Sequence, residues 1–297
     1  YDVTLMGKMA RATGRKDDAE KYWELFIKIR AAFDKQFVRG DGFVAGADNN
    51  GSSFGLINNP GAKSVGGDTQ TGYVLALHMH LVADNLGGAA AKHLADKIHA
   101  NHDLLGTGFL GTPYLLEELT KAGYSDLAYK LLLNTQYPSW GYLVTHGATT
   151  MWERWNGDQM RHDPSMNSYN HYAYGAVADW IYRYAAGVDA SPLDAGFHTV
   201  VLHPVFDARL GHVSYDYDST YGRIHSDWKL TGTTALWHVM IPANTTGWLP
   251  LDATNVDKYK VEGKPLNGNP LARAESREGA NGFTLESGNY VFEVETK

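Results

Sequence analysis

Residues 18–37 read "DAEKYWELFIKIRAAFDKQF", and their apolar side chains recur at the spacing of one helical face. The members of this face stand three or four positions apart: Tyr22, Phe26, Ile29, Phe33 and Phe37. That period is typical of an α-helix that buries one side and exposes the other. The stretch therefore predicts a long amphipathic helix and, with it, a helical first part of the chain.

Further helices are predicted on both sides of this one, at 2–13, 69–83, 88–101, 112–122, 125–134 and 170–186. Glycines stand where these segments end, as C-terminal stop signals do: Gly14, Gly87, Gly123 and Gly187. Between them, residues 40–67 are rich in Gly, Asn and Ser, a composition that favours a loop. A loop of this length in a compact domain tends to be functional or mobile.

From about Phe197 the apolar residues alternate instead, as in "RIHSDWKL" (223–230) and "NYVFEVE" (289–295). A period of two indicates half-buried strands, and their separation by Gly, Asn, Asp and Pro favours an antiparallel β-sandwich. We therefore expect a helical domain over residues 1–190 and a β-sandwich over residues 191–297. A length of 297 residues also favours two domains.

Composition excludes several classes of function. The net charge is −7 and there is no basic block, so a nucleic-acid partner is not expected. No apolar run approaches the ~20 residues of a bilayer crossing, so we expect a soluble chain without a membrane partner. The chain has no cysteine, which excludes disulfides and thiolate chemistry but leaves the compartment open. Because Tyr1 is not an initiator Met, we expect that something precedes it.

One carboxylate stands out. Glu153 lies between Trp152 and Trp155, and indole rings on both sides would restrict water and raise the free-energy cost of the charged form. A carboxylate in such surroundings can act as a general base on water. The alternative is structural: Glu153 could cap a helix or pair with Arg154 or Arg161.

Aromatic residues are concentrated around Glu153. The window 137–184 holds 11 aromatic residues, almost twice its even share. Those in the predicted last helix are interpreted as packing: Tyr172, Trp180, Tyr182 and Tyr184. Trp140, Trp152 and Trp155 instead neighbour polar and glycine residues, which suits sugars, whose C–H faces stack on rings. His171 is either a sugar contact or an ordinary histidine at a helix start.

No metal or cofactor is expected. His78 and His80 lie on different helix faces, and the i, i+3 pair of His99 and His102 is not interpreted as a metal site. The glycines of "GGDTQTG" (66–72) have no Lys and no preceding strand, so they do not form a phosphate loop.

Four stretches together resemble the C-terminal half of bacterial α-L-rhamnosidases of the inverting type: "GTGFLGTPYLLEELTKAGYSDLAYKLLL" (106–133), "YPSWGYLVTHGATTMWERW" (137–155), "DPSMNSYNHYAYGAVADWIYR" (163–183) and "YGRIHSDWKL" (221–230). The resemblance implies part of an (α/α)6 barrel followed by an antiparallel β-sandwich. It also implies a terminal α-L-rhamnoside as substrate. Thr150, Glu153 and Trp155 match the family's Thr-x-x-Glu-x-Trp motif, in which the Glu is the general base.

The same resemblance assigns His171 to sugar contact and Trp140, Trp152 and Trp155 to the pocket walls. Inverting hydrolysis needs a second carboxyl group, and in the family this general acid lies upstream of the matched region. Asp68 is the best stand-in within this chain. Two alternatives stay open: a non-catalytic sugar-binding or structural fragment, and a helical-barrel glycosidase or lyase acting on another sugar. A homo-oligomer is also an open alternative.

Overall fold

The computed structural model describes residues 1–48, 64–65, 68–160, 162, 168–192, 194–277 and 279–296. By its internal contacts the chain divides into two compact units, Tyr1–Val177 and Ala178–Lys297. Most of the loop predicted at 40–67 lies outside the described residues. At its two ends, β1 (Ala47–Asp48) pairs with β2 (Ser64–Val65) in antiparallel orientation.

The first unit is helical, as predicted. Its helices are α1 (Asp2–Ala12), α2 (Lys16–Phe37), α3 (Gln70–His78), α4 (Gly87–Ala100), α5 (Thr112–Lys121), α6 (Ser125–Leu133), α7 (Trp140–Thr145) and α8 (Tyr172–Gly175). Helix α9 (Val177–Trp180) and one π-helical turn (Ile181–Ala185) follow. The six-residue helix α7 was missed by the periodicity, because it is too short to show a repeat.

Helix α2 forms where the apolar spacing predicted it, but its burial differs from the prediction. Phe26 is buried, whereas Ile29 of the same face is 41% exposed. Trp23 and Ile27, on a neighbouring face, are also exposed. The spacing therefore predicted the helix correctly, but it did not predict which of the helix's side chains are buried in the described structure.

Helices α3 and α5 begin at the same end of the first unit. The side chain of Gln70, at the start of α3, accepts a hydrogen bond from the amide of Gly106 at 2.7 Å and donates one to the carbonyl of Leu104 at 3.0 Å. Gly111, the N-cap of α5, packs so closely on Thr71 that an added Cβ would lie 2.8 Å from its hydroxyl. The loop before α5 is thus fixed beside the start of α3.

The second unit is a sandwich of two sheets. One sheet has six strands in the order β10-β9-β13-β7-β6-β5, and the other has five in the order β11-β12-β8-β4-β3. The strands are β3 (Val188–Ala190), β4 (Thr199–Leu202), β5 (His212–Ser219), β6 (Gly222–Thr231), β7 (Thr234–Ile241), β8 (Thr246–Pro250), β9 (Tyr259–Val261), β10 (Lys264–Pro265), β11 (Ala272–Arg277), β12 (Ala280–Leu285) and β13 (Gly288–Glu295). The pairing is antiparallel except between β4 and β8, which run parallel.

The core of the sandwich lies between the two sheets. On β6, Ile224, Ser226 and Trp228 are buried, while His225 and Asp227 point to the opposite face. The indole N–H of Trp228 donates to the carbonyl of Ala185 at 2.7 Å, and the hydroxyl of Ser226 donates to the carbonyl of Ala186 at 2.6 Å. The chain that follows α9 is therefore built into the sandwich.

These bonds explain why the division by contacts falls after Val177, earlier than the boundary expected from sequence at residue 190. The carbonyl groups of the residues just before β3 accept hydrogen bonds from side chains of strand β6. No helix in the described part of the chain is long and apolar enough to cross a membrane.

Candidate active site

Glu153 lies in the segment between α7 and α8, ahead of a 3-10 turn at Gly157–Met160, and is only 8% exposed. Its carboxylate oxygen Oε2 accepts a hydrogen bond from the backbone N–H of Ser168 at 2.7 Å. Its own backbone N–H donates to the carbonyl of Ser168 at 2.8 Å. A buried carboxylate needs such donors, because an unpaired charge in the interior costs much free energy.

Two more hydrogen bonds hold this segment against the start of α8. The N–H of His171 donates to the carbonyl of Met151 at 2.8 Å, and the hydroxyl of Thr150 donates to the carbonyl of Tyr169. Thr150 and Glu153 of the Thr-x-x-Glu-x-Trp motif are thus both bonded to the segment that carries His171. The hydrogen bond from Ser168 then holds the direction of the Glu153 side chain.

An array of rings, here called the aromatic ladder, runs through the site and consists of Trp140, Trp155, Tyr174, Phe109 and His171. Trp140 and Trp155 meet edge to face at 5.5 Å, and Trp155 stacks on Tyr174 at 3.8 Å. Phe109 then lies 5.4 Å from Tyr174 and stacks on His171 at 4.7 Å. Contacts of this kind stabilise beyond the area they bury.

Trp140 and Trp155 are both buried within this ladder. The indole N–H of Trp140 donates to the carbonyl of Tyr174 at 2.9 Å, so its one polar group is satisfied inside the protein. Ser139 caps α7 by accepting from the N–H of Tyr142 at 2.9 Å, which fixes the helix turn that carries Trp140.

Trp152 lies outside the aromatic ladder. It is 5% exposed and meets Tyr169 edge to face at 6.0 Å. Gly157 packs on its indole, since a Cβ at that position would lie 2.8 Å from the ring. Glu153 therefore sits in sequence between one tryptophan of the ladder and one held by Tyr169 and Gly157.

His171 caps α8: its Nδ1 accepts from the N–H of Ala173 at 3.3 Å. A neutral imidazole that accepts at Nδ1 carries its proton on Nε2, which leaves an N–H for a ligand. The neighbouring Tyr172 is 85% exposed and stacks on His171 at 5.3 Å. Interpreting Tyr172 as helix packing was therefore wrong, and Tyr182 is also exposed, whereas Trp180 and Tyr184 are buried as expected.

Tyr174 is the residue that joins the ladder to Glu153 electrostatically. Burial raises the pKa of its phenol, and the nearby phenol of Tyr137 and carboxylate of Glu153 raise it further. The hydroxyl is therefore a neutral hydrogen-bond donor at any physiological pH.

Sequence reasoning missed Ser168, Phe109 and Tyr174 as members of the site. Phe109 stands in "GTGFLG", where glycines on both sides signal a turn that presents one ring, but nothing local ties that turn to His171. Tyr174 lies in a segment predicted as helix, and nothing in the local sequence relates its ring to Glu153. Their roles depend on contacts between distant parts of the chain.

Asp68, the residue suggested from the sequence as the general acid, forms an ion pair with Lys97. Its Oδ2 pairs with the ammonium of Lys97 at 2.6 Å, and its Oδ1 accepts from the hydroxyl of Tyr73 at 3.3 Å. A general acid must carry a proton before it reacts. Both carboxyl oxygens of Asp68 are instead engaged by Lys97 and Tyr73, which disfavours Asp68 for that role.

One group in the described part of the chain brings possible metal ligands together. Single ligand atoms of His78, Glu117 and Glu118 lie within 4.8 Å of one another. However, the ammonium of Lys121 lies 2.7 Å from Glu117 and 3.1 Å from Glu118 and already supplies a positive charge there. The sequence pattern had missed this group because the glutamates follow His78 by about forty positions.

The helical unit thus carries a buried carboxylate among stacked rings, and a β-sandwich follows it in the chain. Residues 1–185 match the model of the bacterial α-L-rhamnosidase six-hairpin glycosidase domain. Residues 187–264 match the model of the bacterial α-L-rhamnosidase C-terminal domain. The chain belongs to the bacterial α-L-rhamnosidase family, and the expected fold class is confirmed.

Individual relatives agree. An α-L-rhamnosidase of Streptomyces avermitilis is 38% identical over 257 residues, covering 85% of this chain and 22% of that protein. One of Formosa agariphila is 33% identical over 298 residues, covering 99% of this chain and 30% of that protein. The crystal structure of the Streptomyces avermitilis α-L-rhamnosidase complexed with L-rhamnose superposes with a TM-score of 0.79, at 35% identity, over 99% of this chain and 26% of that one. The chain thus spans about a quarter of the length of these relatives.

Proposed function

We propose that this chain forms part of an α-L-rhamnosidase and that Glu153 is its general base. The observation that carries the proposal is the setting of Glu153: a buried carboxylate, fixed by the N–H of Ser168 and next to two buried indoles, in a chain of the α-L-rhamnosidase family. The relative complexed with L-rhamnose supports the same substrate class.

The chemistry requires one proton transfer at this residue. The carboxylate of Glu153 takes a proton from water while the water oxygen bonds to the anomeric carbon and the bond to the leaving oxygen breaks. The leaving oxygen receives its proton from a second carboxyl group, and the product has inverted configuration. The hydrogen bond from Ser168 holds Oε2, so Oε1 is the oxygen that faces the water.

Sugar recognition falls to the accessible end of the aromatic ladder. Phe109 and Tyr172 expose ring surface beside His171, and rhamnose, a 6-deoxy sugar, offers a methyl group and C–H faces that stack on such rings. His171 donates from Nε2 to a sugar hydroxyl. Trp152 and Trp155 form the dry wall beside Glu153, and Trp140 supports Trp155.

Leaving-group chemistry tests the function without the second carboxyl group. The leaving group of a 2,4-dinitrophenyl glycoside departs as the phenolate without protonation, because the phenol is acidic. A site that has only the base should therefore still hydrolyse this glycoside. We expect the chain to hydrolyse 2,4-dinitrophenyl α-L-rhamnoside and to lose that activity as Glu153→Gln. An unactivated alkyl rhamnoside should react only when the second carboxyl group is present.

Matched controls decide between the alternatives. Asp158→Asn removes a nearby carboxylate that accepts from the hydroxyl of Tyr142, and it should leave the rate unchanged. Binding of L-rhamnose without hydrolysis of the activated glycoside would favour the non-catalytic sugar-binding fragment. Faster hydrolysis of another aryl glycoside in a panel would show a different sugar specificity.

A further inference from the structure

A groove of about 420 Å³ lies on the outer face of the six-stranded sheet, away from the sandwich core. His225 and Asp227 of β6 and His238 of β7 line it, together with Glu262 and Asn289. The family assignment and the proposed function leave these residues without a role.

The sheet register places three possible ligands next to one another. Asp227 stands directly opposite His238, and His225 is two positions before Asp227 on the same face. Directly opposite side chains have Cβ atoms about 4.5–5.5 Å apart, and diagonal ones about 7–8 Å or less. Two imidazoles and one carboxylate at this spacing can reach a common cation with bonds of about 2.0–2.2 Å.

One of the histidines is already oriented by a carboxylate. Nδ1 of His225 lies 3.0 Å from Oδ1 of Asp216, its neighbour on β5. Histidines that bind metal ions commonly donate their other ring N–H to a carboxylate in this way, which leaves Nε2 for the metal. His225 is about two-thirds buried, so its ring has little freedom to turn away.

Charge and ring content distinguish a cation from other ligands. Asp227 and Glu262 line the groove, and no Lys or Arg is among the residues that do so, which disfavours an anion. Tyr290 is the one Phe, Trp or Tyr of the lining and is 6% exposed, so the groove offers a sugar no large ring face to stack on.

We propose that His225, Asp227 and His238 bind a divalent transition-metal cation, such as Zn²⁺, on the outer face of the six-stranded sheet. Among the described residues only the His78 group has all its ligand atoms within 4.8 Å of one another. The side chains of His225, Asp227 and His238 must therefore rotate toward one another to bind the ion. His238 is exposed and free to do so. The His78 group, in contrast, holds the Lys121 ammonium in place of a metal ion.

The test is a titration of chain 1–297, without a histidine tag and after dialysis against a chelator. Co²⁺ is added while its visible absorption is recorded, and Zn²⁺ is added in a calorimeter. We expect saturable binding of one ion per chain, weakened about tenfold or more by His225→Ala, by His238→Ala and by Asp216→Asn. His212→Ala is the matched control, because His212 is an exposed histidine of the same sheet outside the groove, and it should bind as the wild type does.

Circular dichroism of each variant confirms that the sheet still folds. The proposal is overturned if the wild type shows no saturable binding, or if the groove variants bind the ion like the wild type. It is equally overturned if His78→Ala, rather than a groove variant, removes binding. Hydrolysis of the activated rhamnoside is measured separately, so its failure and the failure of this site are distinguishable.

Discussion

At the scale of single residues, Glu153 and His171 are joined by backbone hydrogen bonds between their two segments. The sequence could identify Glu153 because indoles on both sides of a carboxylate are a local signal. It could not identify Ser168 as the donor to that carboxylate, since a backbone N–H leaves no mark in the sequence. The enclosed position of Glu153 was therefore predictable from the local pattern, and its hydrogen-bond partner was not.

His171 tests the sugar-binding end of the site. In His171→Asn the amide can still cap α8, because Asn is a favourable N-cap residue, but the imidazole is lost. We expect KM for the activated rhamnoside to rise by about 10-fold or less, the equivalent of one hydrogen bond of ~0.5–1.5 kcal/mol, with kcat nearly unchanged. Steady-state kinetics give both constants.

The control for this variant is His146→Asn. His146 also stacks on a tyrosine, Tyr142 at 3.7 Å, but it is not part of the aromatic ladder. An equal rise of KM in both variants, or none in His171→Asn, would contradict a sugar contact at His171.

At the scale of elements, regular periodicity decided what could be predicted. Strands β6 and β13 alternate and were placed within one or two residues. Strand β8 (Thr246–Pro250) was missed, because three consecutive residues in its middle are buried and no alternation results. Leu249 belongs to the sandwich core, whereas Trp248, on the alternate face, is covered by Gly282 of β12 and by the guanidinium of Arg277, which lies 4.8 Å from its ring.

Strand β3 carries a carboxylate whose ionisation stabilises the second unit. Burial alone would raise the pKa of Asp189, but a hydrogen bond from His203 and the guanidinium of Arg183 outweigh it and hold the pKa below its usual value of 3.8. A group with a lowered pKa in the folded state binds fewer protons than in the unfolded state. Its stabilisation is present above pH 3.8 and is lost as the pH falls further, through the folded-state value.

We therefore expect Asp189→Asn to lower the free energy of unfolding at pH 7 and to flatten its decline below pH 3.8. Urea denaturation across this pH range measures both effects. The matched variant is Asp257→Asn, since Asp257 is an exposed acidic residue of the same unit. An acid profile of Asp189→Asn that parallels the wild type would contradict the ion pair's role.

At the scale of the whole molecule, helices α1 and α2 expose an unusual number of apolar side chains: Leu5, Met6, Met9, Trp23, Leu25, Ile27 and Ile29. The sequence predicted the helices but placed Ile29 on a buried face, because periodicity shows which residues share a face and not what covers it. The relatives are about three to five times longer than the matched region. Large exposed apolar patches promote association in solution.

The double variant Trp23→Lys, Ile27→Glu tests this face. The two positions are one helical turn apart, and we expect weaker fluorescence of a bound hydrophobic dye and less self-association by light scattering. Stability should change by only about 0.5 kcal/mol, because neither side chain is buried. Leu271→Lys, at a single exposed leucine of the sandwich, is the control, and equal dye binding by all three proteins would contradict the expectation.

The most direct test of the base uses Glu153→Ala and sodium azide with 2,4-dinitrophenyl α-L-rhamnoside. Removal of the carboxylate should slow hydrolysis by about 10²–10⁴-fold, the usual contribution of a general base. Azide needs no deprotonation and fits the space left by the side chain, so it should restore release of the phenol and yield the β-L-rhamnosyl azide, the inverted product. Hydrolysis by Glu153→Ala at the wild-type rate, or a slowed rate that azide leaves unchanged, would contradict the assignment of Glu153 as the residue that activates water.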